Sequence, residues 1–275
     1  MVKVYVPRDT TASALGADEV AEAIIQEAAA RQLDIELVRN GSRGMFWLEP
    51  LVEVGTAEGR LGYGPVSADG VAALFDGGFL DGGVCEQSLG PVEEIPYLKN
   101  QQRVNFARAG IIDPLSVEDY RAHGGFTGLE RALTLTAQAI VDEIKHSGLR
   151  GRGGAAFPAG IKWQTVLDTQ AEQKYIVCNA DEGDSGTFAD RLLMEADPFQ
   201  LIEGMTIAGM ATGATQGYIY LRSEYPMAHK VMKTAIANAY AAGYLGADIC
   251  DSGKSFNLEV RLGAGAYICG EETSL

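Results

Sequence analysis

Strand-like runs alternating with helical stretches constrain this chain most. KYIVCNA (174–180), QGYIYLRSEY (216–225) and FNLEVRLGAGAYICGEE (256–272) each open as a strand, the last passing into a glycine loop. Between them lie PFQLIEGMTIAGMATG (198–213), a helix with an apolar face, and a second helix over 226–242. Strands in alternation with helices predict an α/β domain. The continuous apolar run of KYIVCNA predicts a buried strand.

A smaller α/β pattern precedes this one. VKVYV (2–6) and LDIELVR (33–39) read as strands around the Ala/Glu/Ile-rich helix 17–32. MFWLEPLVEV (45–54) and GRLGYGPV (59–66) read as a hairpin turning near Gly55–Gly59, and SADGVAALFDG (67–77) as a helix with Ser67 as N-cap, ending at Gly77 and Gly78. The organisation expected is a domain over 1–80, a linker over 81–115 that lies on the next domain, and a second domain over 116–275. Two domains suit 275 residues, at about 100–200 residues each. In the second, Thr127 and Glu130 have capping-box spacing with Phe126 as a staple, opening a helix that runs to about Ser147 and stops at Gly148.

Charge limits the function classes. Lys plus Arg number 22 against 37 Asp plus Glu, a formal net charge of −15. Such a surface repels nucleic acid and anionic lipid, so an anionic ligand needs a local cationic pocket. No apolar run reaches the roughly 18–20 residues of a membrane helix, and MVKVYVPRDT lacks the apolar core of a signal peptide. Cys85, Cys178, Cys250 and Cys269 form no CxxC pair, which points to free thiols in a cytoplasmic protein rather than a zinc site or disulfide framework. His123, His146 and His229 have no partner pattern.

GLRGRGGAAFPAGIKW (148–163) supplies the cationic pocket. Gly148, Gly151, Gly153 and Gly154 permit positive φ and close backbone approach. The helix after them, around 159–168, would aim its N-terminal amides at the loop, an arrangement that binds phosphate. Arg152 and Lys162 add charge there. A flexible surface turn is the alternative. NADEGDSGTF (179–188) then follows a strand's carboxyl end, where open α/β sheets bind ligands. Asn179 can donate and accept at a heterocycle's edge. Asp181, Glu182 and Asp184 would face sugar hydroxyls or ring N–H groups, or form a solvated acidic turn. GAGAYICGEETSL (263–275) adds a second glycine turn with Glu271 and Glu272. Neither glycine segment fits GxGxxG.

Five stretches in order, GRGGAAFPAGIKW, CNADEGDSGTFADR, LIEGM, GYIYLRSEY and GAGAYICGEETSL, resemble the NADH-binding flavoprotein subunit of respiratory complex I, a module shared with NAD-reducing hydrogenases and NAD-dependent formate dehydrogenases. The resemblance covers about 116–275. It implies a Rossmann-like domain that binds FMN, takes hydride from NADH and passes electrons to a [4Fe-4S] cluster. It assigns Gly151, Arg152, Gly153, Gly154 and Lys162 to the FMN phosphate and ring, Asn179, Asp181 and Glu182 to its ribityl and isoalloxazine edges, and Gly270 and Glu271 to the opposite wall. For NAD it assigns Phe157, Asp184, Tyr267 and Glu272. No side chain is expected to be catalytic, since FMN carries the hydride. The chain departs from the family at Ala156, usually glycine, and at Asp184-Ser185, where complex I members usually have Glu-Pro. Gly-Asp-Ser is closer to the hydrogenase and formate dehydrogenase branches.

Residues 1–80 resemble the thioredoxin-like [2Fe-2S] domain but hold no cysteine, so a fold without metal is expected. The family continues past Leu275 into a ubiquitin-like domain and a domain with the [4Fe-4S] ligands. The expectation is thus the flavoprotein subunit of a cytoplasmic NAD-dependent formate dehydrogenase. Its expected partners are NAD(H), a [2Fe-2S] thioredoxin-like subunit and a catalytic metal-containing subunit. The alternatives are the diaphorase subunit of an NAD-reducing hydrogenase or complex I, and a non-catalytic docking scaffold.

Overall fold

The computed structural model describes residues 1–152, 154–271 and 274–275. Two units form: Met1–Pro114 with Glu195–Asp197, and Leu115–Met194 with Pro198–Leu275.

The first unit contains β1 (Val2–Tyr5), α1 (Thr10–Ala14), α2 (Ala17–Ala30), β2 (Ile35–Val38), β3 (Val52–Thr56), β4 (Gly59–Tyr63), α3 (Val71–Asp76), β5 (Ser88–Pro91) and α4 (Pro96–Lys99). Its sheet runs β2-β1-β3-β4-β5, with β1 and β2 parallel and the remaining pairs antiparallel. Asp9 caps α1 by accepting from Thr11 N at 3.1 Å. Val20, Ala21, Ile24 and Ala28 form the buried stripe of α2, spaced as helical periodicity requires. They pack with Val4, Val6, Val52, Val54, Leu74, Phe75 and Phe79 in one core.

Three expectations for this unit change. The strand predicted from 45 begins only at Val52, after a 3-10 turn over Phe46–Leu48. Pro50 cannot donate to a ladder, and the Glu49 carboxylate instead takes Leu51 N at 2.9 Å and Ser42 Oγ at 2.7 Å. Ser67 makes no side-chain cap, and a 3-10 turn, Ala68–Gly70, leads into α3. Residues 81–114, expected as a linker, fall within the first unit. β5 pairs with β4, while Asn40 Nδ2 and Arg60 Nη1 donate to Gly110 O at 2.7 and 3.0 Å. Those donors lie 50 or more positions away, beyond any local signal.

The second unit contains α5 (Val117–Ala122), α6 (Thr127–Leu133), α7 (Ala137–Ser147), α8 (Ala159–Asp168), β6 (Tyr175–Ala180), α9 (Ala189–Ala196, its last two residues counted with the first unit), α10 (Pro198–Thr212), β7 (Gln216–Leu221), α11 (Pro226–Ala241) and β8 (Asn257–Leu262). β6, β7 and β8 form a parallel sheet in that order. Ala180 pairs with Leu221, and Leu221 with Leu262, so the three carboxyl ends align. The segments leaving them, 181–188, 222–225 and 263–271, therefore start from one edge.

Three corrections fall here. The helix expected over 127–147 is two, α6 and α7, with Thr136 Oγ1 accepting from Ala139 N at 3.2 Å to start the second. The Thr127–Glu130 capping box is absent. Phe126 instead sits at φ +61° and is buried, and Glu203 of α10 accepts from Phe126 N and Leu129 N, both at 2.9 Å. KYIVCNA is also less buried than expected: Tyr175 and Val177 are half exposed on one face, because the described helices cover the other.

Candidate functional site

At the end of β6, Asn179 Nδ2 donates to Cys269 O at 2.8 Å, and its Oδ1 accepts from Asp181 N at 3.2 Å. One side chain thus ties the acidic turn to the glycine turn after β8. Asp181 is buried. Burial, and then the Asp181 carboxylate, raise the Cys269 thiol. Burial likewise pushes the Cys178 thiol up to about 12, so both are protonated and poor nucleophiles at neutral pH.

The next residues fold around Tyr267. A Cβ on Gly183 would lie 2.7 Å from Tyr267 Cδ2, so only glycine lets this ring rest on the backbone. The Tyr267 hydroxyl donates to Asp184 Oδ1, and that bond raises the phenol. The ring is 74% exposed. Asp184 and Tyr267, both assigned to NAD by resemblance, are therefore brought together.

Glu182 points elsewhere. At φ +32°, it turns its carboxylate onto the first amides of α9, accepting from Asp190 N at 2.7 Å and Arg191 N at 3.0 Å. It also accepts from Tyr225 OH at 3.1 Å. Burial and Glu182 push the Tyr225 phenol up to about 12, which keeps this donor protonated. Arg222 Nη1 holds the Glu182 carbonyl at 2.8 Å. The carboxylate expected at the edge of a bound ring is engaged as a helix cap.

The first glycine loop closes on itself. Gly151 N donates to Phe157 O at 2.9 Å and Ala159 N to Leu149 O at 2.8 Å, either side of a bridge between Arg150 and Pro158. Gly154 sits at φ +100° with open space where a Cβ would be, and α8 starts directly after Pro158. Lys162, in the first turn of α8, has its ammonium 5.8 Å from the Phe157 ring centroid. Phe157 is 46% exposed, and Arg152 is exposed. Gly270 and Glu271 lie in an exposed turn in which Glu271 N donates to Ile268 O at 3.0 Å. Gly153 and Glu272 lie outside the described residues.

The described hydrogen bonds of the 148–159 loop stay within it or join the flanking helices α7 and α8, while Asn179 and Asp184 each bond into 263–271. Sequence reasoning missed Gly183, Arg150 and Tyr225. Tyr225 ends the stretch GYIYLRSEY, but only the fold shows that it faces Glu182. A cavity of about 200 Å³ lies within the first unit beside Arg43, Glu93 and Arg103, but Glu53 and Glu93 already pair with Arg43.

A parallel sheet whose strand ends carry polar turns, with a glycine loop opening a helix nearby in sequence, defines an α/β domain built for a phosphate-bearing cofactor. Comparison with known proteins makes this specific. Residues 144–275 match the family described as Nuo51 FMN-binding domain. The NADP-reducing hydrogenase subunit HndC of Solidesulfovibrio fructosivorans is 52% identical over 177 residues, 64% of this chain and 36% of that protein. An NADH-quinone oxidoreductase subunit of Rhizobium meliloti (strain 1021) is 51% identical over 157 residues, 57% of this chain and 37% of that protein. The chain thus spans little more than a third of the length of these relatives. A crystal structure of an air-oxidized NAD+-reducing [NiFe]-hydrogenase aligns with 98% of this chain and 44% of its own at a TM-score of 0.47 and 22% identity.

The described residues fit FMN. Gly154 leaves the space a phosphate-binding turn needs, and α8 and Lys162 supply the amides and cation that a phosphate monoester takes.

Proposed function

We propose that this chain is the FMN-binding, NAD(H)-reacting portion of a multi-subunit oxidoreductase. The observation that carries the reading is the glycine loop with Lys162 at the head of α8, inside the matched segment 144–275. Bound FMN would supply the hydride acceptor for a dihydronicotinamide. The protein's part is placement. The α8 amides and Lys162 bind the phosphate. Asn179 holds the two strand-end turns together and Asp181 offers an acceptor between them. Phe157 and Tyr267 present exposed aromatic faces to a flat ring, and Asp184 fixes the second through its hydroxyl. Gly151, Gly154 and Gly270 allow close approach.

Within this class we favour the flavoprotein subunit of an NAD-dependent formate dehydrogenase, supported by Gly183-Asp184-Ser185 and by a fused first unit without cysteine before Cys85. A hydrogenase diaphorase is the second reading, favoured by the 52% identity to HndC. The [4Fe-4S] cluster, a [2Fe-2S] thioredoxin-like partner and a metal-containing catalytic partner belong to both. Titrating FMN into the full chain should quench the flavin's fluorescence, and anaerobic NADH should then bleach its absorption. No quenching would overturn the flavin reading. Bleaching by NADPH but not NADH would overturn the choice of NAD. Formate-dependent against hydrogen-dependent NAD reduction by the native complex separates the finer readings.

A further inference from the structure

We propose that Arg150, to which no role has been assigned, is the positioning residue of the glycine loop, and that it acts by holding Ala156 in a left-handed conformation. Among the described residues, three donors cross the base of this loop. Two are backbone amides, Gly151 N to Phe157 O and Ala159 N to Leu149 O, at 2.9 and 2.8 Å. The third is a side chain: Arg150 Nη1 donates to Ala156 O at 2.8 Å. Ala156 lies at φ +49°, a region that costs an L-residue a factor of about 5–30 in population. Glycine would carry no such penalty, so alanine at this place needs an external hold. The guanidinium supplies it on the carbonyl of the strained residue itself, adding a donor that the backbone bridge between Arg150 and Pro158 lacks.

The strain has a consequence one residue on. With Ala156 left-handed, Phe157 turns its carbonyl to Gly151 N and leaves its ring 46% exposed beside the Lys162 ammonium. Release of Ala156 to an ordinary conformation would swing Phe157 and open the Gly151 bond. Ligand affinity scales with the fraction of loop in the competent state.

The test uses Arg150→Met and the double variant Arg150→Met/Ala156→Gly in the full chain, with two readouts. Hydrogen exchange at the Gly151 and Ala159 amides, without flavin, reports the loop directly. FMN fluorescence quenching reports affinity, and this arm rests on the flavin reading above. Arg150→Met should speed exchange and weaken FMN binding by about three- to tenfold, the range for one largely exposed hydrogen bond. Ala156→Gly in that background should restore most of both, because glycine holds the turn unaided. Unchanged exchange in Arg150→Met overturns the proposal. So does a loss that Ala156→Gly does not recover, which would make Arg150 a direct ligand contact or a general loop stabiliser. If the parent chain does not quench FMN, the flavin reading fails and the exchange arm still decides the clamp.

Discussion

Lys162 is the cation in the first turn of α8, in a chain of net charge −15. A charge-assisted hydrogen bond to phosphate contributes about 1.5–3 kcal/mol, so Lys162→Ala should weaken FMN binding about tenfold or more. Equal flavin retention by variant and parent through dialysis would remove the phosphate assignment. Glu49 shows the opposite use of a charge. Burial raises its carboxyl to about 7 despite bonds from Leu51 N and Ser42 Oγ. The folded state then binds this proton more tightly than the unfolded state does. Stability from it is complete below the ordinary glutamate value of 4.5 and is lost as pH rises through about 7. Glu49→Gln should therefore flatten the fall in melting temperature between about pH 5 and pH 8, removing up to about 3 kcal/mol of pH dependence. Parallel curves for variant and parent would show that Glu49 is ionised in the fold.

Several helix ends in the second unit are finished from a distance. Glu203 of α10 serves the α6 entry and also accepts from Tyr120 OH at 2.5 Å. Lys254 Nζ donates to Ala132, Leu133 and Leu135 carbonyls at 3.0–3.4 Å, where α6 ends. Lys174 Nζ does the same for Leu167 and Thr212 at 3.1 Å, closing α8 and α10. Orphan amides and carbonyls at helix ends need such partners. Glu203→Ala removes the acceptor that two amides and a phenol share and should cost about 2–4 kcal/mol, read as a lower urea midpoint. Thr127→Ala, at the capping-box position, should cost well under about 1 kcal/mol. Equal costs would restore the local cap.

At the scale of the molecule, the two units divide the labour. Every described candidate site residue lies between Leu115 and Leu275. The first unit is held by an apolar core and a buried ion pair, Arg43 Nε to Glu53 Oε1 at 2.6 Å with side chains 3% and 1% exposed. Removing Glu53 leaves the buried Arg43 guanidinium with the exposed Glu93 carboxylate alone, and breaking such a buried pair costs up to about 3–5 kcal/mol. Glu53→Ala should thus lower or abolish the first unit's melting transition while FMN quenching stays within about twofold of the parent. Loss of quenching in step with the first unit's unfolding would show that the flavin site depends on it.

The sequence by itself determined the α/β class, β6 to β8 with α10 and α11 between them, and the glycine, acidic and second glycine turns as candidate ligand segments. Those features are local: apolar periodicity, glycine φ freedom and charge act over a few residues. Tertiary structure alone decided that 81–114 belongs to the first unit with β5 on its sheet, that the 127–147 helix breaks in two, and that Tyr175 and Val177 stay half exposed. It also decided that Asn179 joins two turns while Glu182, chemically a good ring ligand, caps α9. Each of these depends on a partner far away in the chain or on which face a neighbour covers. Glu203 meets Phe126 across 77 positions and Asn179 meets Cys269 across 90. No window of sequence holds both members of such a pair, so the choice among chemically equivalent carboxylates and amides is made only when the chain has folded.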